Sequence, residues 1–276
     1  MKPDLLICWL KHCDYPIFRA TLRKYRDFFG KVIIYWSEHN RFPYYDHFIH
    51  DDLKDLNITF VDPTFTDWST GEDWRHHATT EMLKYSDSEW VCSIEQDWFA
   101  KDWTALLNRM KTAMTMSELT GWLNPTQRPY VHPAFWFIKR SLLDKIGADF
   151  TPHSEIPGSD HFAMITYKAI EAGATMLPIQ DLGFKTDITT PEETDCFHLG
   201  GVNQNYLDFD QRFKENTIHR SELFYIYNYY SSNVNINKHD LFKKQMEKVD
   251  VHLYQRHRDF NPITSGWRKF FTYEND

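Results

Sequence analysis

Short, continuously apolar runs alternate with stretches of helical period through the first two thirds of the chain, and that rhythm restricts the folds open to it. Residues 5–10, Leu-Leu-Ile-Cys-Trp-Leu, form one such run, as expected of a strand buried on both faces. Asp14 is placed to cap the next element, in which Phe18, Leu22, Tyr25 and Phe29 recur at helical spacing. Gly30 is expected to close that helix, and Val32–Trp36 to form a second buried strand. Ile58–Val61 reads as a weaker third strand. Segment 71–85 reads as a helix with Trp74, Ala78, Met82 and Tyr85 on one face, and Trp90–Ile94 as a fourth strand. The alternation predicts an α/β domain: a Rossmann-like, mainly parallel central sheet flanked by helices on both faces.

Further along, a helix is expected to start near Asp102, burying Trp103, Leu106, Leu107, Met110 and Met114. Residues 120–123, 131–138 and 174–179 read as strands. Between the last two, Ser159 is placed to cap a helix carrying Phe162, Ile165 and Ala169. Beyond about residue 202 the chain turns polar and tyrosine-rich, with helical stretches and little strand pattern. No Gly/Ser linker and no internal repeat divides it. The organisation expected is one domain over 1–201 with a helical C-terminal extension, 202–276, packed on it.

Bulk properties exclude some classes of function. Of 276 residues, 42% are hydrophobic and 17% aromatic, which is ample for a large core and rules out a disordered chain. A formal net charge of −8 without a dense basic block argues against a sequence-independent grip on nucleic acid. Four cysteines, at 8, 13, 92 and 196, show neither paired metal-ligand spacing nor a disulfide framework, as in reduced cytosolic proteins. The apolar run at 5–10 is too short for a signal-peptide core or a membrane span. The chain therefore reads as cytoplasmic, with no membrane span.

Three segments carry candidate chemistry. Glu95-Gln96-Asp97 follows the fourth strand directly, and ligands of open parallel sheets sit outside the carboxyl ends of their strands. Carboxylates two apart on extended backbone share a face and can reach one cation; hard oxygen donors suit Mg²⁺ or Mn²⁺. In Phe197-His198-Leu199-Gly200-Gly201 the glycines clear space beside an imidazole that could complete a metal site begun by Asp97. Asp160, in Gly158-Ser159-Asp160-His161, is placed in the first turn of its helix, where the dipole favours a carboxylate able to accept a proton or orient a hydroxyl. A solvated acidic turn, a structural histidine and a simple helix-start acid are the plain alternatives.

Together these segments resemble the GT-A glycosyltransferases, particularly family-2-like members, over roughly residues 4–201. The resemblance implies that Glu95 and Asp97 form the family's acid-x-acid motif, with Glu in place of the commoner first Asp. It implies that they hold, with His198, the Mn²⁺ or Mg²⁺ that bridges the diphosphate of a UDP- or GDP-linked sugar donor. Asp160 takes the position of the base that activates an acceptor hydroxyl, although Ser159 stands where an acid usually precedes it. By position, Trp36, Asp73, Arg75 and Gln96 fall on the donor side. His132, Trp136 and His161 fall on the acceptor side, facing a glycan or another hydroxyl compound. The activity implied is transfer of a sugar to that hydroxyl, with inversion or retention open. A sugar nucleotidyltransferase is the nearest rival, but it would place a glycine-rich phosphate loop where Lys11-His12-Cys13-Asp14 stands. A catalytically silent sugar- or nucleotide-binding protein of the same fold is the other. Trp267, Arg268, Lys269, Phe270 and Phe271 suggest a tail able to close near a diphosphate.

Overall fold

A computed structural model describes residues 2–9, 22–36, 53–61, 73–95, 98–124, 129–153, 160–186 and 195–198. In chain order the elements are β1 (Asp4–Trp9), β2 (Val32–Trp36), β3 (Ile58–Val61), α1 (Asp73–Leu83), β4 (Trp90–Ile94), β5 (Trp98–Ala100) and α2 (Trp103–Met116). There follow β6 (Leu119–Asn124), β7 (Tyr130–Lys139), α3 (Arg140–Ile146), α4 (Ala163–Glu171), β8 (Met176–Pro178) and β9 (Cys196–His198). Ahead of β2, residues 22–25 are helical and tighten into a 3-10 turn, Arg26–Phe28.

Seven strands form one mixed sheet in the order β3-β2-β1-β4-β7-β6-β8, so the chain is α/β. All run the same way except β7, which lies antiparallel to both β4 and β6. The apolar runs explain the layering, because successive side chains on a strand point to opposite faces. Leu5, Ile7, Val32, Ile34, Cys92, Ile94, Phe135 and Phe137 pack with Leu22 and Tyr25 of the first helical stretch and with Trp103, Leu106 and Met110 of α2. Leu6, Ile33, Val91, Trp136 and Ile138 pack on the other face with Ala78 and Met82 of α1, Leu142 of α3, and Phe162 and Ile165 of α4. Each Val, Leu, Ile, Phe or Met side chain among them, fully buried, contributes about 1.5–3 kcal/mol.

Local signals set the joins. Asp102 caps α2 by accepting the Ala105 N–H at 2.8 Å, as its sequence position suggests. Gly30 does something other than close a helix in the left-handed conformation. The 3-10 turn ends at Phe29 in extended backbone, and a Cβ on Gly30 would stand 2.8 Å from Asp4 Oδ1. Glycine is needed there for close approach. Tyr85 lies beyond the end of α1 and is 47% exposed, so it does not share the buried face of Ala78 and Met82. The strand expected over 174–179 is confined to Met176–Pro178, although Ile179 is buried.

One correction bears on chemistry. α4 starts at Ala163, with Phe162 as its N-cap and no side-chain cap bond. Asp160 is therefore in a turn ahead of the helix, its carbonyl accepting the Ala163 N–H at 3.0 Å. Ser159 and the proposed extension 202–276, with its tail aromatics, lie outside the described residues. Among the described residues no helix is long and apolar enough to cross a membrane.

Candidate active site

The chain order of the strands reverses between β1 and β4, which neighbour each other although β2 and β3 intervene in sequence. In open α/β sheets a ligand crevice forms outside the carboxyl ends of the strands at such a point. β4 ends there. Ile94 turns into the layer shared with α2, and Glu95, the next residue, meets side chains from the opposite layer. Its backbone is fixed on both sides: the N–H donates to Ala134 O of β7 at 2.9 Å, and the carbonyl accepts the Trp98 N–H at 3.0 Å.

Arg75, near the start of α1, reaches the same point. Its Nη1 donates to Glu95 Oε1 at 3.3 Å and lies 3.9 Å from Asp160 Oδ1. The Arg75 and Glu95 side chains are only 17% and 14% exposed, and Asp160 37%. One guanidinium thus stands between two carboxylates brought from positions far apart in sequence. Asp160 Oδ1 also accepts the His161 N–H at 2.7 Å and lies 2.7 Å from His161 Nδ1. Burial opposes ionisation of Asp160, but the hydrogen bond from His161, the charge of Arg75 and the His161 N–H outweigh it, holding the carboxyl well below the usual carboxylate range. Tyr130 Oη accepts the Asp160 N–H at 3.2 Å and the Asn124 amide at 3.1 Å, which pins the turn to β7 and β6.

Cys8, near the carboxyl end of β1, lies beside this cluster, its Sγ 3.7 Å from Thr79 Oγ1 of α1. Burial, with Glu95 adding to it, pushes the thiol up to about 12 against the smaller opposing effects of Thr79 and Arg75. Burial thus favours the protonated thiol over the thiolate at Cys8.

The structure therefore brings together Arg75, Glu95, Asp160 and His161. His132 sits near the start of β7, at the same sheet edge; its Nδ1 accepts the Ala134 N–H at 3.1 Å and its ring lies 4.3 Å from that of Trp122. Trp136 is placed differently from the acceptor-side expectation. It is 2% exposed and stacks on Phe162 at 4.6 Å, so its indole is part of the core and offers no open face to a sugar. Trp36 ends β2 opposite Trp9, and Asp73 opens α1; for both, only the backbone is described. Gln96 and Asp97 lie outside the described residues.

The small second sheet bears on the metal. β5 and β9 pair antiparallel with Trp98 opposite His198, and Trp98 is the covalent neighbour of Asp97. Among the described residues no three metal-ligating side chains converge, with His198 described in its backbone alone. Two acids and an imidazole, the donor types the sequence offers, are ligands that suit a hard divalent ion. Tyr130, Asn124 and Cys8 are site residues that pattern reading missed; only the position of Cys8 near the end of the first apolar run signalled it. Searches find no family model and no curated protein that matches the chain.

Proposed function

We propose that this chain is a GT-A-type, metal-dependent glycosyltransferase that moves a sugar from a UDP- or GDP-linked donor to an acceptor hydroxyl. The observation that carries the reading is the convergence of Glu95 and Asp160 on Arg75 at the point where the strand order reverses. Support comes from β9, which delivers His198 alongside the strand that follows Asp97. Asp97, His198 and Glu95 would hold Mn²⁺ or Mg²⁺, which when bound supplies Lewis-acid stabilisation of the departing diphosphate. Arg75, in contact with Glu95 and near Asp160, would balance the charge of these two acids. The Asp160–His161 pair, which faces the same guanidinium nitrogen as Glu95, serves the acceptor hydroxyl, whose proton must leave as the new bond forms.

The test is a thermal-shift screen of UDP and GDP with and without Mn²⁺, followed by turnover of the matching nucleotide sugars. A ligand of the native state raises the melting temperature by mass action. A shift requiring both nucleotide and metal, with sugar release or transfer, is the expected result. A shift without turnover of any nucleotide sugar would make the chain a silent binder, and no shift at all removes the donor assignment.

A further inference from the structure

Resting on the transferase reading, we infer that the proton acceptor of this site is Nε2 of His161, and that Asp160 is a positioning residue acting through it. The geometry is that of a base held by an orienting carboxylate. Asp160 Oδ1 receives the His161 main-chain N–H and stands 2.7 Å from His161 Nδ1, with Arg75 Nη1 beyond at 3.9 Å. An ionised carboxylate oxygen can only accept, so Nδ1 donates to it. The proton on Nδ1 leaves the lone pair of a neutral imidazole on Nε2. Nε2 takes no hydrogen bond among the described residues, and the side chain keeps 8% exposure.

Asp160 is poorly suited to the same task. An efficient general base has its pKa near the working pH. A carboxylate already engaged by His161 and facing Arg75 is held far below that. Among the described residues, the charged and titratable groups around the pair are Arg75 of α1, Glu95 at the end of β4 and the Tyr130 phenol of β7. In the step, the acceptor oxygen forms its bond to the anomeric carbon as its proton passes to Nε2. The bond from that carbon to the phosphate oxygen breaks, and its electron pair leaves with the nucleoside diphosphate. The imidazolium formed is stabilised by Asp160 and later returns the proton to water.

Two measurements on the full chain decide the matter. The first is ¹⁵N NMR of histidine-labelled protein, with the His161 signals assigned by their loss in His161→Gln. A neutral ring protonated at Nδ1 is expected; protonation at Nε2 with a bare Nδ1 overturns the assignment, independently of any activity. The second is kcat/KM against pH for nucleotide-sugar turnover. His161→Gln should lose about 10²–10⁴-fold and the acid limb of the profile. Asp160→Asn should keep that limb but move it to lower pH, because removing the anion disfavours the imidazolium. A wild-type profile in His161→Gln, or loss of the limb in Asp160→Asn alone, returns the base role to Asp160. Should His161→Gln fail to fold, the Asp160→Asn profile and the wild-type tautomer still decide. If the wild-type chain turns over no nucleotide sugar, the transferase reading fails while the tautomer measurement continues to judge the Asp160–His161 pair.

Discussion

Acids are drawn inward at both edges of the sheet, and the two edges treat them differently. At the amino edge Asp4 is 2% exposed; its Oδ1 accepts the Lys31 N–H and its Oδ2 the Ser86 hydroxyl, each at 2.8 Å, and Gly30 closes over it. Its partners there are a main-chain amide and a neutral hydroxyl, groups with no charge to exchange. At the carboxyl edge Glu95 and Asp160 are partly exposed and held by the charged side chain of Arg75, with His161 on Asp160. An acid sealed by fixed neutral donors is an architectural part. An acid balanced by side-chain cations at partial exposure can trade one partner for another, and trading partners is what a site for ions and protons requires.

The largest expected effect tests whether the carboxyl edge trades for a metal. Asp97→Ala should abolish Mn²⁺-dependent binding of the nucleoside diphosphate, measured by calorimetry, with the melting temperature of the free protein unchanged. Retained metal-dependent affinity would take Asp97 out of the site. Next, Arg75→Met leaves Glu95 and Asp160 without their shared cation, and removing one partner of a largely buried pair costs about 3–5 kcal/mol. Added Mn²⁺ should recover part of that loss in chemical denaturation. No recovery would exclude Glu95 as a metal ligand.

The opposite edge should respond to loss of its acid but not to metal. Asp4→Asn replaces one acceptor oxygen with a donor facing Lys31 or Ser86, and leaving a buried partner unsatisfied costs about 1–3 kcal/mol. The loss should be the same with and without Mn²⁺; a metal-dependent difference would erase the contrast between the edges. The smallest effect concerns Asp149, on neither edge site. Burial works against its ionisation, but the Thr151 hydroxyl and Lys168 bring the carboxyl from an ordinary 3.8 to about 2. A carboxyl lowered in the folded state stabilises above its unfolded value and loses that contribution as pH falls from about 4 to about 2. Wild type and Asp149→Asn should therefore differ in melting temperature at pH 6 and converge near pH 2. The difference will be small, because Lys168 and Asp149 are about one third exposed, at 33% and 35%.

The strands were largely legible because the central ones are buried on both faces, while edge strand β3 is half-buried over residues 58–60. Val32–Trp36, Ile58–Val61 and Trp90–Ile94 are each bounded by a change from apolar to polar or turn residues. That same double burial concealed side-chain direction: in β7, Phe135, Trp136 and Phe137 are equally apolar, and sequence alone does not say that Trp136 stacks under Phe162. Asp160 reads as a helix-start acid because short acids favour such positions, yet its carboxylate is taken by His161 and faces Arg75. The Arg75–Glu95 contact joins two elements and has no local signature. β5 and β9, at three residues each, are too short to show a period, so the pairing of Trp98 with His198 could not be read in advance.

That ribbon also imposes an order of assembly on the chain. Trp98 and His198 lie about a hundred residues apart, and contacts between distant segments form only after the loop-closure entropy has been met. During synthesis, β1 to β8 can collapse onto their helices before residues 196–198 leave the ribosome. The acid cluster around Arg75 is then already in place while its ninth strand is still missing. The carboxyl end of the sheet beside Glu95 thus gains its β5–β9 ribbon only after a stretch about a hundred residues downstream of Trp98 has been made.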